Sequence, residues 1–268
     1  MIDIGIDPVA LRIGPFELRW YGIMIALAVL TLVWWLYREV RKQGSLSPDT
    51  AFTAAIIGIP SGVVGSRLLH VIEEWEYFSQ NPGQIIGAAG LSIYGAVLGA
   101  SLGLWIYSKF SRFKYGVLTD LLAPGIILAQ AIGRVGCLFN GCCYGIETTF
   151  PGAIIYSNPD SFAPLGIPVY PTQFYEIIYN LIVFGILLKL RGRLQPDGSL
   201  FLVYLGFYSL WRIGIDFIRE GNPYFFGLHQ AQVIGIVILA ITVSLLAYRT
   251  RWVKRNPAAQ PNLKEQQS

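Results

Sequence analysis

Charged side chains are scarce in this sequence. Asp, Glu, Lys and Arg make up 13% of the 268 residues, whereas hydrophobic residues make up 54%, and the mean hydropathy is +0.52. Soluble domains are typically about 25% charged. The shortage of charge therefore excludes an ordinary water-soluble domain and indicates an all-α polytopic membrane protein.

Cysteine and histidine are also rare, and this limits the chemistry that they can support. The three cysteines, Cys137, Cys142 and Cys143, follow the pattern C-x4-C-C, and His70 and His229 lie far from them in sequence. A structural zinc site needs four closely spaced ligands, and no histidine is placed to activate a thiol. We expect no metal or cofactor and interpret the cysteines as small apolar residues, with a disulfide from Cys137 to Cys142 or Cys143 left open.

The first fifteen residues lack the basic and apolar regions of a secretory signal peptide, so we expect none to be cleaved. No internal repeat or low-complexity segment is visible either. These absences leave the long apolar segments as the main organising feature.

Seven apolar segments have the length that a helix needs, about 20 residues, to cross roughly 30 Å of hydrocarbon. They predict seven transmembrane helices near residues 18–37, 51–72, 91–110, 117–135, 172–190, 199–218 and 229–248.

Lysine is missing from one of the two faces that these segments define. Fourteen of the 20 basic residues follow the first, third, fifth and seventh segments and so share the other face. The positive-inside rule makes that face cytoplasmic, which places the amino terminus outside and the carboxyl terminus inside. The fourteen residues are Arg38, Arg41, Lys42, Lys109, Arg112, Lys114, Lys189, Arg191, Arg193, Arg249, Arg251, Lys254, Arg255 and Lys264.

We therefore interpret residues 1–250 as a single seven-helix membrane domain. Residues 7–19 alternate apolar and polar side chains around Gly14-Pro15, which predicts a short hairpin or surface arm. Residues 146–171 are rich in Pro and Gly and long for a simple connection, which indicates a small outward-facing head. Residues 251–268 are polar and predict a disordered cytoplasmic tail.

Glycines recur four residues apart in two neighbouring segments. Gly95, Gly99 and Gly103 share one helix face, as do Gly58 and Gly62. Such faces allow helix backbones to approach closely, so we interpret them as packing surfaces.

The six remaining basic residues are all arginine: Arg12, Arg19, Arg67, Arg134, Arg212 and Arg219. An arginine at membrane depth costs at least about 2.5–3.5 kcal/mol, so it needs a partner or a ligand. Its planar guanidinium suits bidentate recognition of phosphate.

Two groups of polar residues predict an outward-opening cationic pocket. Tyr208, Arg212, Asp216 and Arg219 fall on one face of the sixth segment, and Arg134 ends the fourth. An alternative is that carboxylates neutralise these arginines and lock the bundle. The pairs would be Asp216 with Arg212 or Arg219, and Asp120 or Glu176 with Arg134.

The whole chain resembles the bacterial prolipoprotein diacylglyceryl transferases, and the most specific match is the glycine-arginine signature at Gly133-Arg134 with Gly136, Asn140 and Gly145. The other matching motifs are "LRWYGIM" (18–24), "RLLHVIEEWEYF" (67–78), "GLSIYGAVLGA" (90–100), "TDLLAPGIILAQAIGRVGCLFNGCCYG" (119–145), "YPTQFYE" (170–176), "GSLFLVYLGFYSLWRIGIDFIRE" (198–220) and "LHQAQVIGIVIL" (228–239).

This resemblance implies a multi-pass enzyme of the bacterial cytoplasmic (inner) membrane. The implied reaction moves the diacylglyceryl group of phosphatidylglycerol to the lipobox cysteine of a prolipoprotein signal peptide, forms a thioether and releases glycerol phosphate. Membrane lipids are the surroundings, and no nucleic-acid partner is expected. An alternative function is non-enzymatic binding or transport of an anionic lipid by the same pocket.

The resemblance also implies residue roles. Arg134 and Arg212 match the essential arginines, and six further positions match residues that bind or support substrate: Tyr21, Asn140, Gly145, Tyr208, Asp216 and Arg219. Tyr94 stands where much of the family has a histidine that is a favoured candidate base. Tyrosine is a poor base unless positive charge lowers its pKa.

Overall fold

The computed structural model describes residues 1–14, 16–85, 93–111, 113–220 and 227–253, with the side chains of Glu73, Ile93 and Tyr94 excepted. Within these residues the chain is mostly helical. The helices are α1 (Trp20–Gln43), α2 (Pro48–Glu73), α3 (Trp75–Gln80), α4 (Ile93–Phe110), α5 (Tyr115–Asn140), α6 (Thr172–Leu190), α7 (Ser199–Ile215) and α8 (Gln230–Arg249), with a 3₁₀ turn at Pro82–Gln84.

A long helix forms at each of the seven predicted segments. Five of them (α1, α2, α5, α6 and α8) are long and apolar enough to cross a membrane, and α7 is apolar but shorter. The expectation of a mainly helical membrane protein is confirmed.

The segment bounds, predicted only approximately, differ from the helix ends by up to six residues, as at Gln43 of α1, and in two places the reason is local structure. Leu18 lies in strand β3 (Phe16–Arg19) because it pairs with Leu11 of β2 (Val9–Ile13), so α1 begins only at Trp20. The segment predicted to reach residue 218 ends earlier, since α7 stops at Ile215 and the chain turns at Asp216.

The described residues form two compact units, one of residues 1–35 with 119–253 and the other of residues 36–118. In the second unit α2 packs closely against α4. A Cβ added at Gly99 would come within 2.9 Å of the Gly65 Cα, and one added at Gly65 within 2.7 Å of the Gly99 Cα. The predicted packing role is confirmed at Gly95, Gly99 and Gly103 of α4, but on α2 the closest contacts come from Ser61 and Gly65 rather than from Gly58 and Gly62.

In the first unit α5, α6 and α7 share a buried apolar core. Its fully buried members are Ala123, Ile127, Val183, Leu187, Leu200 and Tyr204. Asp120 ties two of the helices together, because its carboxylate accepts hydrogen bonds from the backbone N–H groups of Gly198 (2.8 Å) and Phe201 (2.9 Å). The first turn of a helix leaves such N–H groups unpaired, and Asp120 therefore caps α7 from α5.

Short strands accompany the helices of this unit. The predicted hairpin is confirmed, since β2 pairs with β3 in antiparallel register, and Gly14 takes a positive φ of 58° at its turn. Within residues 146–171, β4 (Ile154–Tyr156) pairs in parallel with β1 (Ile2–Ile4). Ile154, Tyr156, Ala163 and Val169 form a small buried core there.

The region interpreted as a tail has some order at its start. Its strand β6 (Arg251–Trp252) pairs with β5 (Leu194–Gln195). The remainder of the predicted disordered tail, 254–268, lies outside the described residues.

Candidate functional site

Arg134 is held in a buried ion pair. It lies on α5, and its Nε is 2.8 Å from Oε1 of Glu176 on α6; the two side chains are 17% and 5% exposed. Of the two partners that the charge pattern left open, Glu176 is the one observed, because Asp120 caps α7 instead. Glu176 contacts the Nε atom of Arg134 and so orients the guanidinium. The terminal nitrogen Nη1 of Arg134 lies 3.7 Å from the Sγ of Cys137.

Arg212 is paired much less completely. Its Nη1 lies 3.1 Å from Oδ1 of Asp216, one turn further along the chain, and the carboxylate is 2% exposed. The pair lacks hydrogen-bond alignment: in the described part of the chain, Arg212 Nη1 and both Asp216 oxygens are buried without a hydrogen bond. Leaving a buried charged group unbonded costs at least about 1–3 kcal/mol. Unsatisfied buried polar atoms call for an explanation, such as strain, a catalytic role or a bound water or ion.

Other unbonded polar atoms lie nearby on the same helix. Ser209 Oγ and Trp211 Nε1 are also buried without a hydrogen bond among the described residues. The last two turns of α7 therefore concentrate polar atoms that the described chain does not satisfy.

Helix α6 connects the two arginines. One turn after Glu176, Tyr179 stacks on Trp211 with ring centroids 4.3 Å apart, and its hydroxyl donates to the Phe207 carbonyl at 2.8 Å. The α6 residues that hold Arg134 thus lie beside the part of α7 that carries Arg212. Tyr208 of α7 is also within electrostatic range of Arg134. The prediction that these helix faces converge is supported by these contacts.

Two further sequence-derived residues, Tyr21 and Asn140, lie on α1 and at the end of α5. Tyr21 is 40% exposed and lies where α1 passes α5, since a Cβ added at Gly136 would come within 3.2 Å of its Cα. It is within electrostatic range of Arg134. Asn140 is buried, and its Oδ1 accepts a hydrogen bond from Arg19 Nη1 at 3.4 Å.

Gly145 and Arg219 form one corner of the site. They face each other in an isolated antiparallel bridge, and a Cβ on Gly145 would come within 2.5 Å of the Ile218 carbonyl oxygen. Only glycine fits this close backbone approach, which holds Arg219 beside the chain that follows α5. The side chain of Tyr94 lies outside the described residues, so its assignment as base stays a prediction.

The chain after α5 turns back on the helix. Gly141 has a positive φ of 69°. Its N–H donates to the Leu138 carbonyl at 3.4 Å, and the N–H of the next residue, Cys142, donates to the Cys137 carbonyl at 3.1 Å. This is the Schellman arrangement, in which a left-handed glycine ends a helix. It brings Cys142 back over Cys137, and the three cysteines are free thiols.

Sequence reasoning missed two contributors to this corner. Gln173 Nε2 donates to the Cys142 carbonyl at 2.8 Å, and Thr172 Oγ1 donates to that of Cys143 at 2.6 Å. No spacing rule could identify them, because the contacts join segments about 30 residues apart. The glycine directly after α5 could have predicted the turn.

Replacing Cys137, Cys142 and Cys143 together with alanine should lower any lipid-to-thiol transfer by less than tenfold, about 1.4 kcal/mol of barrier. Glu176, not a thiol, supplies the ion pair of Arg134. Transfer by the purified triple variant is the measurement, with its helix content as the control for folding. Complete loss of transfer in a folded variant would contradict this expectation.

Comparison with known proteins extends over almost the full chain. A family model described as prolipoprotein diacylglyceryl transferase matches residues 8–248. A phosphatidylglycerol–prolipoprotein diacylglyceryl transferase of Dehalococcoides mccartyi is 51% identical over 251 residues, which is 94% of this chain and 96% of that protein. Proteins of the same name from Symbiobacterium thermophilum and Listeria innocua are 36% identical over 261 residues and 32% identical over 262 residues, each covering 94% of this chain and 95% or 92% of the relative.

Proposed function

This chain belongs to the prolipoprotein diacylglyceryl transferase family, and from that premise we propose that it joins the diacylglyceryl group of phosphatidylglycerol to the lipobox cysteine of a prolipoprotein. The relatives' names supply the two substrates. The observation in this chain that carries the proposal is Arg212, whose Nη1 is buried 3.1 Å from Asp216 without a hydrogen bond among the described residues. A lipid phosphate is an acceptor that would complete it.

In the proposed reaction two arginines grip the donor phosphate from two helices. Arg134, oriented through Nε by Glu176, offers its terminal nitrogens, and Arg212 offers Nη1. A guanidinium donates to two phosphate oxygens at once. As the carbon–oxygen bond to phosphate breaks, negative charge grows on the leaving group, and donors already in position stabilise it.

The acceptor thiol must lose its proton before or during attack. Its sulfur forms the new carbon–sulfur bond at the glyceryl carbon, glycerol phosphate departs with the bond electrons, and the thiol proton passes to a base. Positive charge near the thiol favours the thiolate. We propose Tyr94 as the base in its deprotonated form; if Tyr94 stays protonated, the thiol proton passes to the substrate phosphate or to solvent. We also propose that Tyr21, Asn140, Gly145, Tyr208, Asp216 and Arg219 shape and support the pocket.

The decisive experiment uses purified protein with phosphatidylglycerol vesicles and a synthetic lipobox peptide. We expect the peptide to gain the mass of one diacylglyceryl group and glycerol phosphate to appear in equal amount. A peptide with serine in place of the lipobox cysteine is the control. Binding of phosphatidylglycerol without any mass gain would favour the alternative, a non-enzymatic anionic-lipid binding or transport protein.

We further propose that all seven long helices span the bacterial cytoplasmic membrane, in one domain of residues 1–250. The amino terminus and the 146–171 segment would face outwards, and the carboxyl-terminal tail would face the cytoplasm. The motive is the set of fourteen basic residues that share one face.

Reporter fusions test this topology. Fusions after Gln43 and in the tail should read as cytoplasmic, whereas one inserted after Gly166, an open position with nothing within 4 Å of an added Cβ, should read as external. An external signal at either of the first two sites would refute the orientation.

A further inference from the structure

The three thiols of the chain form a single cluster. The Sγ atoms of Cys137, Cys142 and Cys143 all lie within 4.8 Å of one another, and in the described residues this is the one group of metal-ligating side chains that converges in this way. The sequence spacing C-x4-C-C had argued against a metal site. The Schellman turn at Gly141 changes that conclusion, because it folds Cys142 and Cys143 back onto the last turn of α5.

The separation of the sulfurs suits coordination by three thiolates. A metal–sulfur bond of about 2.3 Å places the sulfurs of a planar three-coordinate site about 4 Å apart. The observed limit of 4.8 Å needs side-chain adjustments of less than about 1 Å to reach that geometry. Cys137 is buried, whereas Cys142 and Cys143 are partly exposed, so an ion has a route to the cluster.

Two arginines lie close to the cluster. Arg134 Nη1 is 3.7 Å from the Cys137 Sγ, and the positive charges of Arg219 and Arg134 act on the Cys143 sulfur. Three thiolates with one monovalent ion carry two negative charges, which would lie beside Arg219 and the Arg134–Glu176 ion pair. Soft thiolate ligands select Cu(I) among the biological monovalent ions, and three ligands without a fourth suit it better than tetrahedral zinc.

We propose that Cys137, Cys142 and Cys143 bind one soft monovalent metal ion of the Cu(I) class in a three-sulfur site beside Arg134. Binding displaces the thiol protons to solvent and changes no oxidation state. The ion would also engage the sulfur that Arg134 Nη1 contacts at 3.7 Å, and so would lie next to the proposed phosphate site.

The test is anaerobic titration of the reduced full-length protein with Cu(I) against a chromogenic Cu(I) chelator. We expect one ion per chain in the native protein and none in the triple Cys→Ser variant. Each single Cys→Ser variant should lose more affinity than the roughly 10- to 100-fold that removal of a supporting partner costs at a metal site. His70→Gln, which removes a potential ligand outside the cluster, should bind like the native protein.

Two results would overturn the proposal. One is Cu(I) binding that is unchanged in the triple variant, which would place the ion elsewhere. The other is a count of fewer than three titratable thiols in the protein as isolated without added reductant, which would show that a disulfide occupies the cluster. Neither measurement depends on transferase activity, so the metal site and the proposed function can fail separately.

Discussion

Replacing either Arg134 or Arg212 with lysine should lower turnover by about 100- to 1,000-fold, the loss that follows removal of one positioned donor to a developing anion. Lysine keeps the positive charge but lacks the planar fork that engages two phosphate oxygens. At Arg134 it also loses the Nε contact of 2.8 Å to Glu176. The effect on turnover should exceed the effect on lipid binding, because in the proposed mechanism the two arginines act most strongly on the departing phosphate.

The measurement compares transfer rate with phosphatidylglycerol binding for each variant in folded protein. Arg41→Lys is the matched control, since Arg41 lies at the basic end of α1 and contacts only Tyr37 among the partners described for it. Tyr94→Phe tests the base separately, and a small loss there would assign the proton to the substrate phosphate or solvent. Near-normal turnover in both arginine variants would refute the proposal that Arg134 and Arg212 bind the leaving phosphate.

Glu176→Ala should have the second large effect, on both stability and transfer. It leaves Arg134 buried without its carboxylate, and loss of one partner of a buried ion pair destabilises a protein by about 3–5 kcal/mol. If Glu176 acts on the reaction only by positioning Arg134, Glu176→Ala should lower the transfer rate and leave the affinity for phosphatidylglycerol similar. Thermal unfolding and transfer kinetics are the two readouts.

Two further variants separate orientation from stability. Glu176→Gln retains an oxygen that can accept from Arg134 Nε, and we expect it to recover much of the stability and part of the rate. Glu76→Gln on α3 is the control for loss of a carboxylate outside the site. If Glu176→Ala were as stable and as active as the native protein, the observed ion pair would have no role in positioning Arg134.

The helices could be predicted from the sequence because the bilayer fixes their length. Segment 172–190 agrees with α6 to the residue, and the glycine faces of α2 and α4 follow from small residues four apart. Boundaries failed where local pairing overrode hydropathy. Leu18 is apolar, yet its place opposite Leu11 in the hairpin keeps it out of α1.

The buried ion pairs were predictable in their residue types, but the partner of Arg134 was not. Because burying an arginine is costly, the sequence predicts that Arg134 has a partner. Whether that partner is Glu176 or Asp120 depends on how α5, α6 and α7 pack. The cysteines show the same limit. The spacing of Cys137 and Cys142 did not predict that they meet, because their contact depends on the turn that Gly141 makes with its positive φ.

The cap that Asp120 provides has a consequence for membrane depth. It holds the second turn of α5 against the first turn of α7, and both arginines lie fourteen residues further along, Arg134 after Asp120 and Arg212 after Gly198. At 1.5 Å per residue each is about 21 Å from that shared anchor. In the proposed orientation the anchor lies near the cytoplasmic leaflet. The depth of the two arginines in the bilayer is therefore set by their distance from that leaflet and not from the outer one. In that orientation a thicker bilayer would bury the two guanidinium groups more deeply and a thinner one would raise them towards the headgroups, so we expect the transfer rate to depend on bilayer thickness.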